Sequence, residues 1–79
     1  MATGGDSATL RAFSLGSEVV RLQILLRTAG YRLEPDGIFG SMTRECVKSY
    51  QSAHGLPGSG VVDAMTWTML EEAYLSQNG

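Results

Sequence analysis

The side chains of this 79-residue chain that could carry out acid–base chemistry are carboxylates near expected turns. Glycoside cleavage, for example, needs two carboxyl groups held across a cleft. The candidates are Asp36, Asp63, Glu18 and Glu45. Asp63 has a sufficient role as the N-cap of an expected helix, and Asp36 stands before Gly37 as an ordinary turn residue. Because these roles leave no evident catalytic pair, we predict that the chain is not an enzyme.

The chain has one histidine and one cysteine, which limits its nucleophilic and metal chemistry. His54 is expected in the last turn of a helix, where the helix dipole favours a cationic side chain, so a structural role explains it better than Ser–His catalysis. Cys46 has no second cysteine with which to form an internal disulfide or a zinc cluster. We therefore expect no metal bound by the protein alone and no cofactor.

Charge and hydropathy exclude two further classes of function. The net charge is −2 and the six basic residues are spread along the chain, whereas binding to a nucleic-acid backbone needs a clustered basic patch. The longest apolar run, residues 24–26, is too short to span a bilayer, and no charged-then-apolar export signal opens the chain. We therefore expect no nucleic-acid partner and no membrane insertion, and we expect any export signal to lie outside this chain.

Three helices are predicted from their start and stop signals, which indicates an all-α fold. They span residues 18–29, 41–54 and 64–75. Gly30 and Gly55 follow the first two helices at the position where a left-handed residue commonly ends a helix. The residues expected to face the core, at helical spacing, are Val19, Leu22, Leu26 and Ala29 in the first helix, Thr43, Cys46, Val47 and Tyr50 in the second, and Trp67, Leu70 and Tyr74 in the third.

A single domain is expected to fill most of the chain, because its length suits one domain and not two. Residues 1–9 show no apolar period and are predicted to form a flexible tail. Residues 10–76 are predicted to fold, and residues 77–79 to fray.

A turn that leads into a helix occurs twice in the sequence. Residues 37–43 align with residues 60–66 as glycine, two apolar residues, a cap, a small residue, Met and Thr. In each copy the glycine permits a turn with positive φ, and the threonine can reach back to the cap from the third helical position. The apolar pairs 38–39 and 61–62 could run extended beside one another.

Two glutamines and a tryptophan have both structural and functional interpretations. Gln23 and Gln51 each follow a core residue, so we expect half-buried amides bonded to loop backbone; contact with a ligand is the alternative. Trp67 is more simply a core residue than a platform for a sugar, because its neighbours three and seven positions on are apolar.

The order of these motifs along the chain is more specific than any one of them. The ordered set is Gly16-Ser17, Val19, Leu22-Gln23, Leu26, Gly30-Tyr31, Asp36-Gly37-Ile38-Phe39-Gly40, Thr43, Val47, Tyr50-Gln51, Gly55-Leu56, Gly60, Val62, Thr66-Trp67 and Leu70. It resembles the peptidoglycan-binding domain attached to bacterial and phage cell-wall hydrolases, over about residues 10–75. The resemblance implies a compact three-helix bundle, a cell-wall glycopeptide as ligand, and no catalysis by the module itself.

The departures from the family pattern are mild. Cys46 stands where the family prefers a small residue such as alanine, and Tyr50 stands where it tends to have phenylalanine. The Tyr50 hydroxyl must then meet water or a partner. A related domain forms the prosegment of metalloproteinases, but the cysteine that follows the third helix there has no counterpart here.

The ligand site is expected on surface that the core and the caps leave free. Cell-wall polymer offers N-acetyl sugars and peptides with carboxylates, which suit an aromatic face, backbone donors at a helix start and an arginine. Segment 36–44 has all three; the alternative is that it is only a well-capped turn. The predicted ligand residues are Asp36, Phe39, Gly40, Ser41, Thr43 and Arg44, bordered by Tyr50 and Arg32.

The function predicted on these grounds is to anchor or target a parent protein to peptidoglycan. The chain would be a monomeric module of a larger protein or assembly, located at the cell wall, in the periplasm or outside the cell. The alternative is a protein-interaction or prosegment-like docking domain of the same fold, since fold alone does not dictate a ligand.

Overall fold

The computed structural model describes residues 14–78, and the helices in that part of the chain are α1 (Ser17–Thr28), α2 (Ser41–Ala53) and α3 (Ala64–Asn78). The all-α class and the three-helix bundle are confirmed. The predicted tail over residues 1–9 and the predicted domain start at Leu10 lie outside the described residues. None of the three helices has the length and apolar character needed to cross a membrane.

The ends of α1 and α2 are formed by the same backbone motif, as the paired glycine signals predict. After α1, the Tyr31 N–H donates to the Leu26 carbonyl at 3.0 Å and the Gly30 N–H to Arg27 at 3.0 Å. After α2, the Leu56 N–H donates to the Gln51 carbonyl at 2.8 Å. These are the bonds of a Schellman motif, which satisfies carbonyls that a helix end would otherwise leave unpaired.

Helix α3 continues three residues beyond its predicted end at Leu75. Gln77 and Asn78, which were predicted to fray, are helical, and Gly79 lies outside the described part of the chain. The prediction ended the helix where the apolar stripe ends. A helix needs only backbone hydrogen bonds to continue, however, and no glycine or proline interrupts residues 64–78.

The core lies between all three helices and includes residues of the turns before α2 and α3. Of the residues predicted to face it, Ala29 and Cys46 are only partly buried, and Tyr74 is 37% exposed. Tyr74 lines a surface groove between α1 and α3 together with Ile24 and Leu75, at the edge of the bundle. The buried apolar residues are Val19, Leu22, Leu25, Leu26, Leu33, Phe39, Val47, Tyr50, Val62, Trp67 and Leu70.

An isolated antiparallel bridge joins the start of α1 to the turn before α2. Leu15 pairs with Ile38, the Phe39 N–H donates to the Ser14 carbonyl at 3.0 Å, and the Gly16 N–H donates to Gly37 at 3.0 Å. The suggestion that residues 38–39 run beside 61–62 is therefore wrong for Ile38, whose partner is the chain entering α1. This pairing decides which side of segment 36–40 faces the core.

Candidate functional site

The turn that precedes α2 is built around the buried amide of Gln23. The side-chain nitrogen lies 3.0 Å from Asp36 Oδ1 and Thr43 Oγ1 and 3.1 Å from the Ile38 carbonyl. The Gly37 N–H donates to the amide oxygen at 2.9 Å. Gln23 is therefore a structural residue that holds the turn on α1, as predicted, although it is fully and not half buried.

Gln51 holds the turn before α3 in the same way. Its nitrogen donates to the Val61 carbonyl at 2.9 Å and to Thr66 Oγ1 at 3.0 Å, and the Gly60 N–H donates to its oxygen at 2.9 Å. Gly37 and Gly60 have φ of 78° and 80°, a region that side chains rarely tolerate. The twice-repeated unit is thus a repeat of structure as well as of sequence.

The two copies differ at the cap of the helix. At α3, Asp63 Oδ1 accepts hydrogen bonds from the Thr66 N–H at 3.1 Å and from the Thr66 hydroxyl at 3.0 Å. At α2 the cap is Gly40, which makes no side-chain bond, and Thr43 is engaged by Gln23. The prediction that the threonine reaches back to the cap is confirmed for Thr66 and wrong for Thr43, because Gly40 offers no side chain.

The first turn of α2 is consequently open. Within residues 14–78, the backbone N–H groups of Ser41, Met42 and Thr43 have no hydrogen-bond partner. They carry the positive end of the helix dipole, which attracts anions. At the start of α3, by contrast, the Asp63 carboxylate occupies the Thr66 N–H and places a negative charge there.

This open helix start faces a groove of about 510 Å³, which we call the α2 groove. Five predicted ligand residues line it: Arg32, Asp36, Gly40, Ser41 and Thr43. The other lining residues are Gln23, for which ligand contact was the alternative interpretation, and four that were not among the predicted ligand residues: Leu33, Glu34, Ile38 and Met42. Ile38 and Met42 are 55% and 67% exposed and give the groove apolar edges. The exposure of Ile38 and Met42 could have been noticed in the sequence, since neither residue belongs to the apolar stripe by which a helix faces the core.

Two predicted aromatic contacts are absent from the groove because both rings are buried. Phe39 is 0% exposed and Tyr50 is 2% exposed, so neither offers a face to a ligand. In an extended segment successive side chains point to opposite sides, and the bridge with Leu15 turns Ile38 outward and Phe39 inward. The Tyr50 hydroxyl is buried with no partner among the described residues, and burial raises the pKa of Tyr50, with a smaller contribution from Tyr31.

Arg44, the arginine favoured from the sequence, is not among the residues that line the α2 groove. Its side chain packs over the second turn, where a Cβ on Gly60 would lie 3.2 Å from Arg44 Cγ. Its guanidinium is 3.6 Å from Glu45, in an exposed ion pair. The arginine that lines the groove is Arg32, which is exposed.

Asp36 combines a turn role with a place at the groove. The Ile38 N–H, 2.9 Å from Asp36 Oδ1, and the Gln23 amide hold the pKa of this carboxyl below its usual range. Asp36 is therefore an anion at neutral pH and can accept a hydrogen bond from a ligand N–H or hydroxyl. Among the described residues, no three His, Cys, Asp or Glu side chains are grouped so that they could hold a metal ion.

Comparison with known proteins gives a consistent result. A family model described as "Putative peptidoglycan binding domain" matches residues 16–70. The zinc D-Ala-D-Ala carboxypeptidase of Streptomyces albus G is 39% identical over 69 residues, which cover 81% of this chain and 26% of that enzyme. This chain therefore spans about a quarter of the carboxypeptidase.

Solved structures agree in fold. The endolysin of Burkholderia phage AP3 matches with a TM-score of 0.78 and 43% identity, over 80% of this chain and 24% of the endolysin. The N-terminal domain of SleB matches with a TM-score of 0.81 and 32% identity, over 86% of this chain and 94% of that domain. Since the family model covers residues 16–70, which include α1, α2 and both repeat turns, the chain belongs to the peptidoglycan-binding domain family.

Proposed function

We propose that this chain is a non-catalytic module that holds a parent protein on peptidoglycan, and that the α2 groove binds a stem-peptide carboxylate. The observation that carries the proposal is the uncapped start of α2, where the N–H groups of residues 41–43 have no partner among the described residues and the same three residues line the groove. Donors at a helix start bind carboxylates and phosphates because the amides and the helix dipole act together.

Each further feature of the groove matches another part of such a ligand. Arg32 supplies a cation with a planar set of donors, which suits a carboxylate. Ile38 and Met42 supply apolar contact for alkyl groups of the peptide or the face of a sugar. Asp36 supplies an acceptor for a peptide N–H. The site thus provides complementary groups for a short peptide with a carboxylate end.

The second copy of the turn, before α3, is less suited to bind a carboxylate than the first copy, before α2. Its concavity has a volume of about 170 Å³, a third of that of the α2 groove, and Asp63 lines it. A carboxylate there would face the charge of Asp63 and find the Thr66 N–H already bonded. The internal repeat therefore contains one open and one closed anion site.

The binding of one such ligand will be weak. A small, shallow site gives on the order of −4 to −6 kcal/mol, which corresponds to dissociation constants from about millimolar to tens of micromolar. Retention then depends on the repeated sites of the polymer and on other domains of the parent protein. We propose accordingly that the module acts as a monomer within a larger wall-associated protein, in the periplasm or outside the cell. The docking or prosegment alternative draws no support from the relatives.

Two measurements test the proposal. Co-sedimentation with purified insoluble peptidoglycan should pellet the protein in a saturable manner; no pelleting at any wall concentration contradicts wall binding. Titration with a soluble muropeptide should shift the NMR signals of the backbone amides of residues 41–43. The amides of residues 64–66, at the closed copy of the turn, are the internal control and should move much less. Equal shifts in both copies would contradict the assignment of the site.

A further inference from the structure

Two arginines in the described part of the chain have no carboxylate partner. Arg21 and Arg44 form ion pairs with glutamates. Arg27 and Arg32 are exposed and make no ion pair within residues 14–78. Both line one concavity of about 440 Å³, together with Gly30, Tyr31, Leu33 and Glu34. The unpaired guanidinium groups are therefore at the same place on the surface.

This concavity adjoins the α2 groove. Segment 32–34 lines both of them, so the two concavities meet at this segment, and we call the pair the trough. One end of the trough has the open amides of α2, and the other has Arg27 at the end of α1. A ligand longer than a single carboxylate group can therefore contact both ends.

Structural roles explain only part of this arrangement. Arg27 lies in the last turn of α1, where a cation is favoured by the helix dipole. Arg32 lies outside any helix, so the dipole gives no reason for it. Between them, Tyr31 is held by its backbone bond to Leu26 and by an edge-on contact with Tyr50, with ring centroids 6.4 Å apart. The ring is therefore a fixed surface between two free cations.

We infer that Arg27 and Tyr31 form a second subsite, which adjoins the first at Arg32 and binds a second carboxylate of the same stem peptide. The inference depends on the proposed function, because it extends the ligand already assigned to the α2 groove. With Arg32 engaged by the first carboxylate, Arg27 is the one arginine left in the concavity, which suits one further carboxylate better than a polyanion. The module should then prefer stem peptides with two free carboxylates to peptides in which one is amidated.

The test uses the full chain and two synthetic tetrapeptides, L-alanyl-γ-D-glutamyl-L-lysyl-D-alanine and the same peptide with the glutamyl α-carboxylate converted to an amide. Titration calorimetry or NMR gives both dissociation constants. We expect the dicarboxylate peptide to bind about two- to fivefold more tightly, as one partly exposed ion pair allows. In Arg27→Gln this ratio should fall to about one, because only the dicarboxylate peptide loses a contact.

Two further variants serve as controls. Arg27→Lys keeps the charge and should retain most of the preference. Lys48→Gln removes one positive charge at a distance from the trough, beside Gly60, and should leave the ratio unchanged. If the unsubstituted chain binds both peptides equally, or if the Arg27→Gln protein keeps the preference, the second subsite alone is overturned. If the unsubstituted chain binds neither peptide, the assignment of the α2 groove as a ligand site is overturned together with the second subsite.

Discussion

Replacement of Gly40 by aspartate is the sharpest test of the open helix start, because it should move stability and binding in opposite directions. Gly40 has φ −96° and ψ −165°, an extended conformation that any residue adopts, and a Cβ there would meet nothing within 4 Å. Aspartate can therefore enter without strain and cap α2 as Asp63 caps α3.

The gain in stability has three sources. A capping acceptor in place of glycine contributes a few tenths of a kcal/mol, a negative charge at a helix start about 0.3–1 kcal/mol, and the loss of glycine's freedom in the unfolded chain about 0.4–1 kcal/mol. A total of about 1–2 kcal/mol should raise the Tm by about 4–8 °C for each kcal/mol in a domain of this size. Thermal melts by circular dichroism measure it.

Binding should weaken because the new carboxylate takes a donor from the ligand and repels its charge. Hydrogen bonds to charged groups contribute about 1.5–3 kcal/mol, so Gly40→Asp should bind peptidoglycan about ten- to a hundredfold more weakly. Gly40→Ala is the matched control, since it adds a side chain without an acceptor. Its affinity for peptidoglycan should be within about twofold of that of the unsubstituted chain. Unchanged wall binding by a Gly40→Asp protein with a raised Tm would refute the site. A lowered Tm would refute the capping argument.

Four other substitutions, with Arg44→Ala as a comparison, separate structural from functional roles. Gln23→Ala and Gln51→Ala should each destabilise the fold by about 2–4 kcal/mol, since the first leaves the Gly37 N–H and the Thr43 hydroxyl unpaired and the second leaves the Gly60 N–H and the Val61 carbonyl unpaired. A melting curve like that of the unsubstituted chain would contradict this. Trp67→Ala should cost about 3–5 kcal/mol, because the indole is 1% exposed. A Trp67→Ala protein that melts normally but no longer binds the wall would make the indole a ligand platform. Arg32→Ala should weaken wall binding by about 0.5–1.5 kcal/mol, and more than Arg44→Ala does, because only Arg32 lines the α2 groove. If co-sedimentation shows that the two variants lose wall binding equally, Arg44 belongs to the ligand site as well.

Features that depend on neighbours in the chain could be predicted from the sequence. The helices begin and end within one residue of the predicted positions, except at the end of α3, because caps and C-terminal glycines act over four or five residues. The core stripes follow from the helical period in the same way. The repeat and its glycine turns were visible for the same reason, as were the loop and the helix start at the candidate site.

Features that depend on distant partners could not be predicted. Ile38 and Phe39 are equally apolar, and only the pairing of Ile38 with Leu15 decides that Phe39 is buried and Ile38 lies at the groove. Arg44 could have pointed to a ligand, but its place was decided by the space over Gly60, sixteen positions along the chain. Sequence spacing contains no information on which side of an extended pair meets the bundle.

The candidate site divides along the same line. Residue types and order alone indicated a peptidoglycan-binding module with anion-binding amides near residue 41, since an N-terminal helix turn has unpaired donors wherever it occurs. In both copies of the turn a buried glutamine donates to the threonine hydroxyl, and the cap residue itself, Asp63 or Gly40, decides whether the threonine N–H is occupied. Only the tertiary structure decides which side chains surround the open amides, because the residues that line the groove come from α1, from the loop before α2 and from α2 itself. The α2 groove exists because α1 holds that turn through Gln23, a contact between residues 13 to 20 positions apart that no local pattern specifies.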